Sequence, residues 1–105
     1  MSWLSKIFGL APSADYAALV KAGAKIIDVR SPIEFKTGHA EGAINIPVEQ
    51  ISGQLHRLKD KSKPIITCCA TGARSGNAKH ILEQNGYQQV YNGGNWSRLN
   101  RKINQ

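Results

Sequence analysis

The sequence predicts an α/β domain built on a parallel sheet with right-handed crossovers. Three observations carry this. Apolar β-branched runs alternate with stretches of helical spacing, the pattern of βαβ units. The run Ile65-Ile66-Thr67-Cys68-Cys69 leads through the small residues Ala70-Thr71-Gly72-Ala73 into Arg74, Ser75 and a helical pattern, so strand, tight loop and helix start follow one another directly. The 105 residues suit one domain, which at this size buries about 65% of its unfolded surface and needs no staples.

Residues 1–10 are expected to be an N-terminal extension. Trp3, Leu4, Ile7 and Phe8 would share one face of a short amphipathic helix that packs on the domain or frays. A weak membrane or partner contact is the alternative. Residues 11–105 form the single domain. Pro12-Ser13 predicts a helix start with Ser13 as N-cap, Tyr16, Leu19 and Val20 give it an apolar face, and Gly23 ends it. Lys25 to Arg30 reads as a buried strand, broken by Ser31-Pro32. A helical turn around Ile33-Glu34-Phe35 ends near Gly38. Gly42 to Pro47 is a second short strand.

Val48, Ile51, Leu55 and Leu58 predict an amphipathic helix over 48–58, followed by a charged turn from Lys59 to Lys63. Ile65 to Cys68 is the third strand. Ala78, Ile81 and Leu82 mark a helix from about 75 to 84, ended by Asn85-Gly86. Tyr87 to Tyr91 is a further strand, Asn92-Gly93-Gly94 a turn, and a last short helix or tail carries Trp96 and Leu99.

Apolar content of 41% and charged content of 20% are those of an ordinary globular chain. Two adjacent cysteines make no disulfide framework, since a bridge between neighbours would close a strained ring. Free thiols in a reducing compartment are the expectation, hence a cytoplasmic location. No run approaches the ~20 apolar residues of a membrane span, so no transmembrane segment is expected. Met1 to Leu10 is too short and broken for a secretory signal. The net charge of +7 suggests an anionic partner. Nucleic acid is not expected, because Lys59, Lys61, Lys63, Arg98, Arg101 and Lys102 are scattered with no binding motif. No His/Cys set has zinc-ligand spacing, and neither metal nor organic cofactor is expected.

Chemistry concentrates at the loop after the third strand. Strand, tight loop and helix N-terminus form a cup walled by backbone N–H groups, where the helix dipole favours negative charge. A cysteine at its rim should react as thiolate. Sites in parallel sheets lie beyond the carboxyl ends of the strands, which is where the cysteine pair falls.

Four pieces, in order, resemble the rhodanese (sulfurtransferase) domain. They are Ile27-Asp28-Val29-Arg30-Ser31-Pro32 with Glu34-Phe35; Gly38-His39-Ala40-Glu41-Gly42-Ala43-Ile44-Asn45-Ile46-Pro47; the loop Cys69-Ala70-Thr71-Gly72-Ala73-Arg74-Ser75; and Gly86-Tyr87, Val90-Tyr91-Asn92 and Gly93-Gly94. The resemblance implies a small three-layer domain with about four to five parallel strands flanked by helices. The tail departs from it: Asn95 and Trp96 follow the double glycine at once, where family members place an apolar residue and a later tryptophan. Packing of the last helix is the point this leaves open.

The resemblance implies a thiosulfate sulfurtransferase that forms a persulfide at Cys69. Its donor would be a small anionic sulfur compound, thiosulfate or a persulfide, and its acceptor cyanide, a thiol or a sulfur-accepting protein. A monomer is expected. Counting back from Arg74, Cys69 gives a six-residue C-x4-R loop, similar to sulfur-transferring rhodaneses, and Cys68 a seven-residue C-x5-R loop, similar to phosphatases that hold a tetrahedral anion. Gly72, three positions after Cys69, and Thr67, where such phosphatases often carry histidine, favour Cys69. A phosphatase or arsenate-reductase-like enzyme using Cys68 and a non-catalytic interaction module are the alternatives. Ala70, Thr71, Gly72, Ala73 and Arg74 would line the sulfur site. Arg74 either attracts the anionic donor or ties the loop to the sheet; Thr71 either donates its hydroxyl or shapes the loop. Asp28 and Arg30 are expected to brace the loop from the neighbouring strand end as an ion pair or a cap, His39 to be a hydrogen-bonded structural residue, and His56 and His80 to lie on the surface.

Overall fold

In the computed structural model, which describes residues 14–104, the chain runs α1 (Tyr16–Lys21), β1 (Lys25–Asp28), α2 (Pro32–Thr37), β2 (Ile44–Asn45), two 3-10 helices (Val48–Gly53 and Leu55–Arg57), β3 (Ile65–Cys69), α3 (Ala73–Gln84), β4 (Val90–Asn95) and α4 (Trp96–Ile103). The four strands pair in the order β2-β1-β3-β4, and every pair is parallel. The expected helical face at Trp3, Leu4, Ile7 and Phe8 lies outside the described residues. No helix among the described residues is long and apolar enough to cross a membrane.

Side chains alternate across each strand, so each face of the sheet builds its own core. On one face Ile27, Val29, Ile65 and Cys69 pack with Ile51 and Leu58 of the 3-10 region, Ala78 and Leu82 of α3, and Tyr87. On the other Ile26, Ile66 and Cys68 pack with Ala40 and Leu99, flanked by Tyr16, Leu19 and Val20 of α1 and Trp96 of α4. The result is three layers. Ile27 and Ile66 are fully buried, each contributing about 1.5–3 kcal/mol of transfer free energy.

Several sequence expectations shift. The cap of α1 is Asp15 rather than Ser13; its carboxylate accepts the Ala18 amide at 3.0 Å. The expected helix over 48–58 is two 3-10 pieces, held by bonds such as Gln54 N to Ile51 O at 3.0 Å and Leu58 N to Leu55 O at 2.9 Å. Ser52 and Gly53 are weak helix formers in its middle, and the four apolar residues reach the core in either geometry. The second strand shortens to Ile44–Asn45.

The last strand moves from 87–91 to Val90–Asn95. Tyr87 leaves the ladder to fill the core, donating its hydroxyl to Leu58 O at 2.6 Å. The expected turn at Asn92-Gly93-Gly94 is instead part of β4, where the register jumps: Asn92 pairs with Thr67 but Asn95 with Cys69. The open point about the last helix resolves in favour of packing, since α4 forms and Leu99 is fully buried.

Gly93 makes this jump possible, because a Cβ there would stand 2.9 Å from Ile66 Cγ2 and from the Thr67 carbonyl oxygen. Gly93→Ala is therefore expected to destabilise the domain by about 1–3 kcal/mol, the usual range for overpacking, as read by urea denaturation. Wild-type stability in this variant would show that the contact yields without strain.

Candidate active site

The end of β3 sets the site. Cys69 turns toward the α3 face and Cys68 toward the α1 and α4 face, and both are fully buried free thiols. The chain then enters α3 through Gly72, whose φ of 94° and ψ of −12° lie in the left-handed region that glycine adopts at little cost. No side chain caps α3, so its first amides face the loop interior.

The Cys69 sulfur is ringed by two amides and a hydroxyl. Gly72 N lies 3.0 Å from Sγ, Ser75 N 3.4 Å and Ser75 Oγ 3.3 Å. Burial opposes ionisation and is the largest single influence. The Ser75 hydroxyl, then the amides of Ser75, Thr71 and Gly72, together outweigh it and hold the Cys69 thiol below its ordinary pKa. For Cys68 burial acts almost alone: with the nearby Asp28 charge adding to it and Arg30 only partly offsetting it, the thiol is pushed up to about 12.

Other expected site residues divide by what they hold. Thr71 is exposed and faces the sulfur through its amide. Ala70 offers its carbonyl to Asn95 Nδ2 at 2.8 Å, and Gly72 its carbonyl to Asn92 Nδ2 at 3.1 Å. The Ala73 side chain is exposed on the first turn of α3. Arg74 ties the loop, though to α2 and not to the sheet: its guanidinium grips Glu34 in two-pronged fashion, Nη1 to Oε1 at 2.7 Å and Nη2 to Oε2 at 3.0 Å. Glu34 also closes the capping box of α2 with Ser31. Arg74, then the Ser31 amide, hold the Glu34 carboxyl down to about 2.

Asp28 and Arg30 form a buried ion pair at the end of β1, Nη2 to Oδ2 at 2.7 Å and Nε to Oδ1 at 3.0 Å. Arg30 reaches on to the carbonyls of Gly38 at 2.7 Å and Glu34 at 3.3 Å and stacks 5.0 Å from the Trp96 ring centre. This fixes the middle and the C-terminal end of α2, which in turn fixes Glu34 against Arg74. His39 Nδ1 donates to Phe35 O at 2.8 Å, and its ring stacks on the Phe35 ring at 3.7 Å. His56 and His80 are exposed. A cavity of about 270 Å³ lies at the opposite end of the sheet, where Lys25 and Ile65 begin their strands, and Cys69 does not line it.

Sequence reasoning assigned no role to Ser75, Glu34, Asn92 or Asn95. Ser75 could have been found from its place on the first turn of the helix, where a hydroxyl and an amide can both face back to the strand end. The asparagines have local partners as well, the Gly94 amide for Asn92 and the Arg98 amide for Asn95, but their hold on the loop gives no local signal, because the loop carbonyls they take lie 20 and 25 residues away in sequence.

A model of the rhodanese-like domain matches residues 13–95. An uncharacterized protein of Bacillus subtilis is 41% identical over 69 residues, 66% of this chain and 54% of its own length. The thiosulfate sulfurtransferase PspE of Escherichia coli is 39% identical over 69 residues, 65% of this chain and 66% of its own. These matches span less than two thirds of either relative. A solved structure of a rhodanese with anions from Escherichia coli superposes at a TM-score of 0.68, with 36% identity, covering 71% of this chain and 89% of that one.

The Glu34 tie has a pH signature. Its carboxyl titrates lower folded, at about 2, than at its ordinary 4.5. The stability it contributes is therefore present above 4.5 and lost as pH falls from there toward 2. Thermal melting of wild type and Glu34→Gln is expected to differ at neutral pH and to converge through that window. A gap that persists unchanged at the acid end would show that the tie does not depend on charge.

Proposed function

The chain belongs to the rhodanese-like family, and from that premise we propose that it is a thiosulfate sulfurtransferase with Cys69 as nucleophile. The observation that carries this reading is the Cys69 sulfur itself, set at the end of β3 under hydrogen bonds from the Gly72 and Ser75 amides, with the Ser75 hydroxyl 3.3 Å away. Such donors stabilise a thiolate before reaction and the negative sulfur after it. The likeness to a relative named as a thiosulfate sulfurtransferase supports the same reading.

The Cys69 thiolate attacks the outer sulfur of thiosulfate. A sulfur–sulfur bond forms to Cys69, the bond within thiosulfate breaks, and sulfite leaves with the electron pair. The persulfide then carries the negative charge on its outer sulfur. A nucleophile attacks that sulfur, cyanide in the assay or a thiol in a sulfur-accepting protein, and Cys69 leaves as thiolate. Two half-reactions through a covalent enzyme give ping-pong kinetics. Arg74, held by Glu34, orders the loop rather than offering its charge unshared to the donor.

Cys68 does not fit a phosphatase role. Its side chain faces the opposite core among Ile26, Ala40, Ile66 and Leu99, and burial keeps it protonated. It packs as a small apolar residue.

Intact mass after incubation with thiosulfate tests the assignment. The wild type and Cys68→Ser are expected to gain one sulfur atom, and Cys69→Ser none; cyanide should remove the gain as thiocyanate. Uptake that follows Cys68 instead, or no uptake by any of the three proteins, would overturn the reading.

A further inference from the structure

Ser75 has one hydroxyl proton and two neighbours able to take it. Its Oγ lies 3.3 Å from Cys69 Sγ and 2.6 Å from Asn92 Oδ1. The orientation of Asn92 follows from its other bonds. Its Nδ2 donates to the Gly72 carbonyl at 3.1 Å, which only the amide nitrogen can do, and its Oδ1 accepts the Gly94 amide at 3.0 Å, which only the oxygen can do. The oxygen therefore faces Ser75, and the short bond has the hydroxyl donating to it.

This sets a competition. With its proton committed to Asn92, Ser75 can only accept from Cys69, an arrangement that keeps the sulfur as S–H. A thiolate requires the reverse: the hydroxyl rotates to donate to Sγ and gives up its bond to Asn92. The Asn92 oxygen keeps the Gly94 amide in either state, so the cost of switching falls on the Ser75 bond alone.

We infer that Asn92 is a positioning residue that sets how readily Cys69 ionises, by competing with the sulfur for the single proton of the Ser75 hydroxyl. The inference rests on Cys69 as the reacting sulfur. The titratable and charged groups that act on that sulfur directly are Cys68 of β3 and Arg74 of α3; Asp28 and Arg30, at and just beyond the end of β1, act on Cys68, and Glu34 of α2 pairs with Arg74. From β4 come only Asn92 and Asn95, which do not titrate. Substituting Asn92 leaves all of those charges in place. It does remove the bond to the Gly72 carbonyl, which holds the loop, so the single variant mixes two effects.

A double-mutant cycle separates them. The pKa of Cys69 is read from thiolate ultraviolet absorbance in the wild type, Asn92→Leu, Ser75→Ala and the double variant; Cys68, pushed up to about 12 by burial, is expected to stay protonated through the range. The loop effect of Asn92→Leu is common to both backgrounds, while the proton competition exists only where Ser75 remains. The shift caused by Asn92→Leu with Ser75 present is expected to be lower by about half to one pKa unit than the shift in the Ser75→Ala background, the size of one modest hydrogen bond. Equal shifts in the two backgrounds, or a difference of opposite sign, would overturn the inference. If the leucine variant does not fold by circular dichroism, Asn92→Ala frees the hydroxyl in the same way and the same comparison decides. Sulfur uptake by the same wild-type sample is scored separately. Its absence with the coupling intact would sink the transfer reading while leaving the proton competition standing.

Discussion

Neighbouring side chains on a strand face opposite ways, and at the end of β3 this one constraint separates two adjacent thiols into different chemistry. Cys68 is delivered to a closed apolar core and Cys69 to the mouth of a helix. Both are fully buried, so exposure does not distinguish them. What differs is the supply of donors: Cys68 has none to offset desolvation, whereas Cys69 has two amides and a hydroxyl within hydrogen-bond reach. Hydrogen bonds to a charged group contribute about 1.5–3 kcal/mol each, and one pKa unit corresponds to about 1.4 kcal/mol. A few such bonds are enough to reverse the penalty of burial.

The loop keeps those donors in place because it is held from three sides. Arg74 fastens it to Glu34 at the start of α2, Asn95 takes the Ala70 carbonyl, and Asn92 takes the Gly72 carbonyl. Behind α2 stands the buried Asp28–Arg30 pair, whose arginine grips the carbonyls of Glu34 within that helix and of Gly38 at its C-terminal end. An ion pair as exposed as Arg74–Glu34 adds little stability by itself. Its value is geometric, since donors aimed in advance need not reorganise when charge appears on the sulfur.

The sheet, its parallel pairing and the Cys69 loop were legible because each rests on local pattern: β-branched runs for Ile26-Ile27 and Ile65-Ile66, a glycine where the chain must turn at Gly72. The segment 48–58 was misread because apolar residues three and four apart serve an α-helix and a 3-10 helix alike, and Ser52-Gly53 decides between them. β4 was misread for the opposite reason. Gly93-Gly94 looks like a turn in sequence, yet the glycine is there to let the strand pass against Ile66 and the Thr67 carbonyl. Ser75, Asn92 and Asn95 escaped because their roles exist only after β3, β4 and α3 are brought together. Glu34 was visible only as part of a helical turn, and its grip on Arg74 is a contact across 40 residues of sequence.

The measurement that bears most directly on the central claim is a carbon NMR titration of the protein labelled at the cysteine Cβ atoms, which reports ionisation of each thiol without requiring a reagent to reach it. The expected result is that the Cys69 carbon titrates below the ordinary thiol range while the Cys68 carbon does not titrate as long as the domain stays folded. Two carbons that titrate together, or Cys68 titrating first, would contradict the separation of the two thiols on which the proposed chemistry depends.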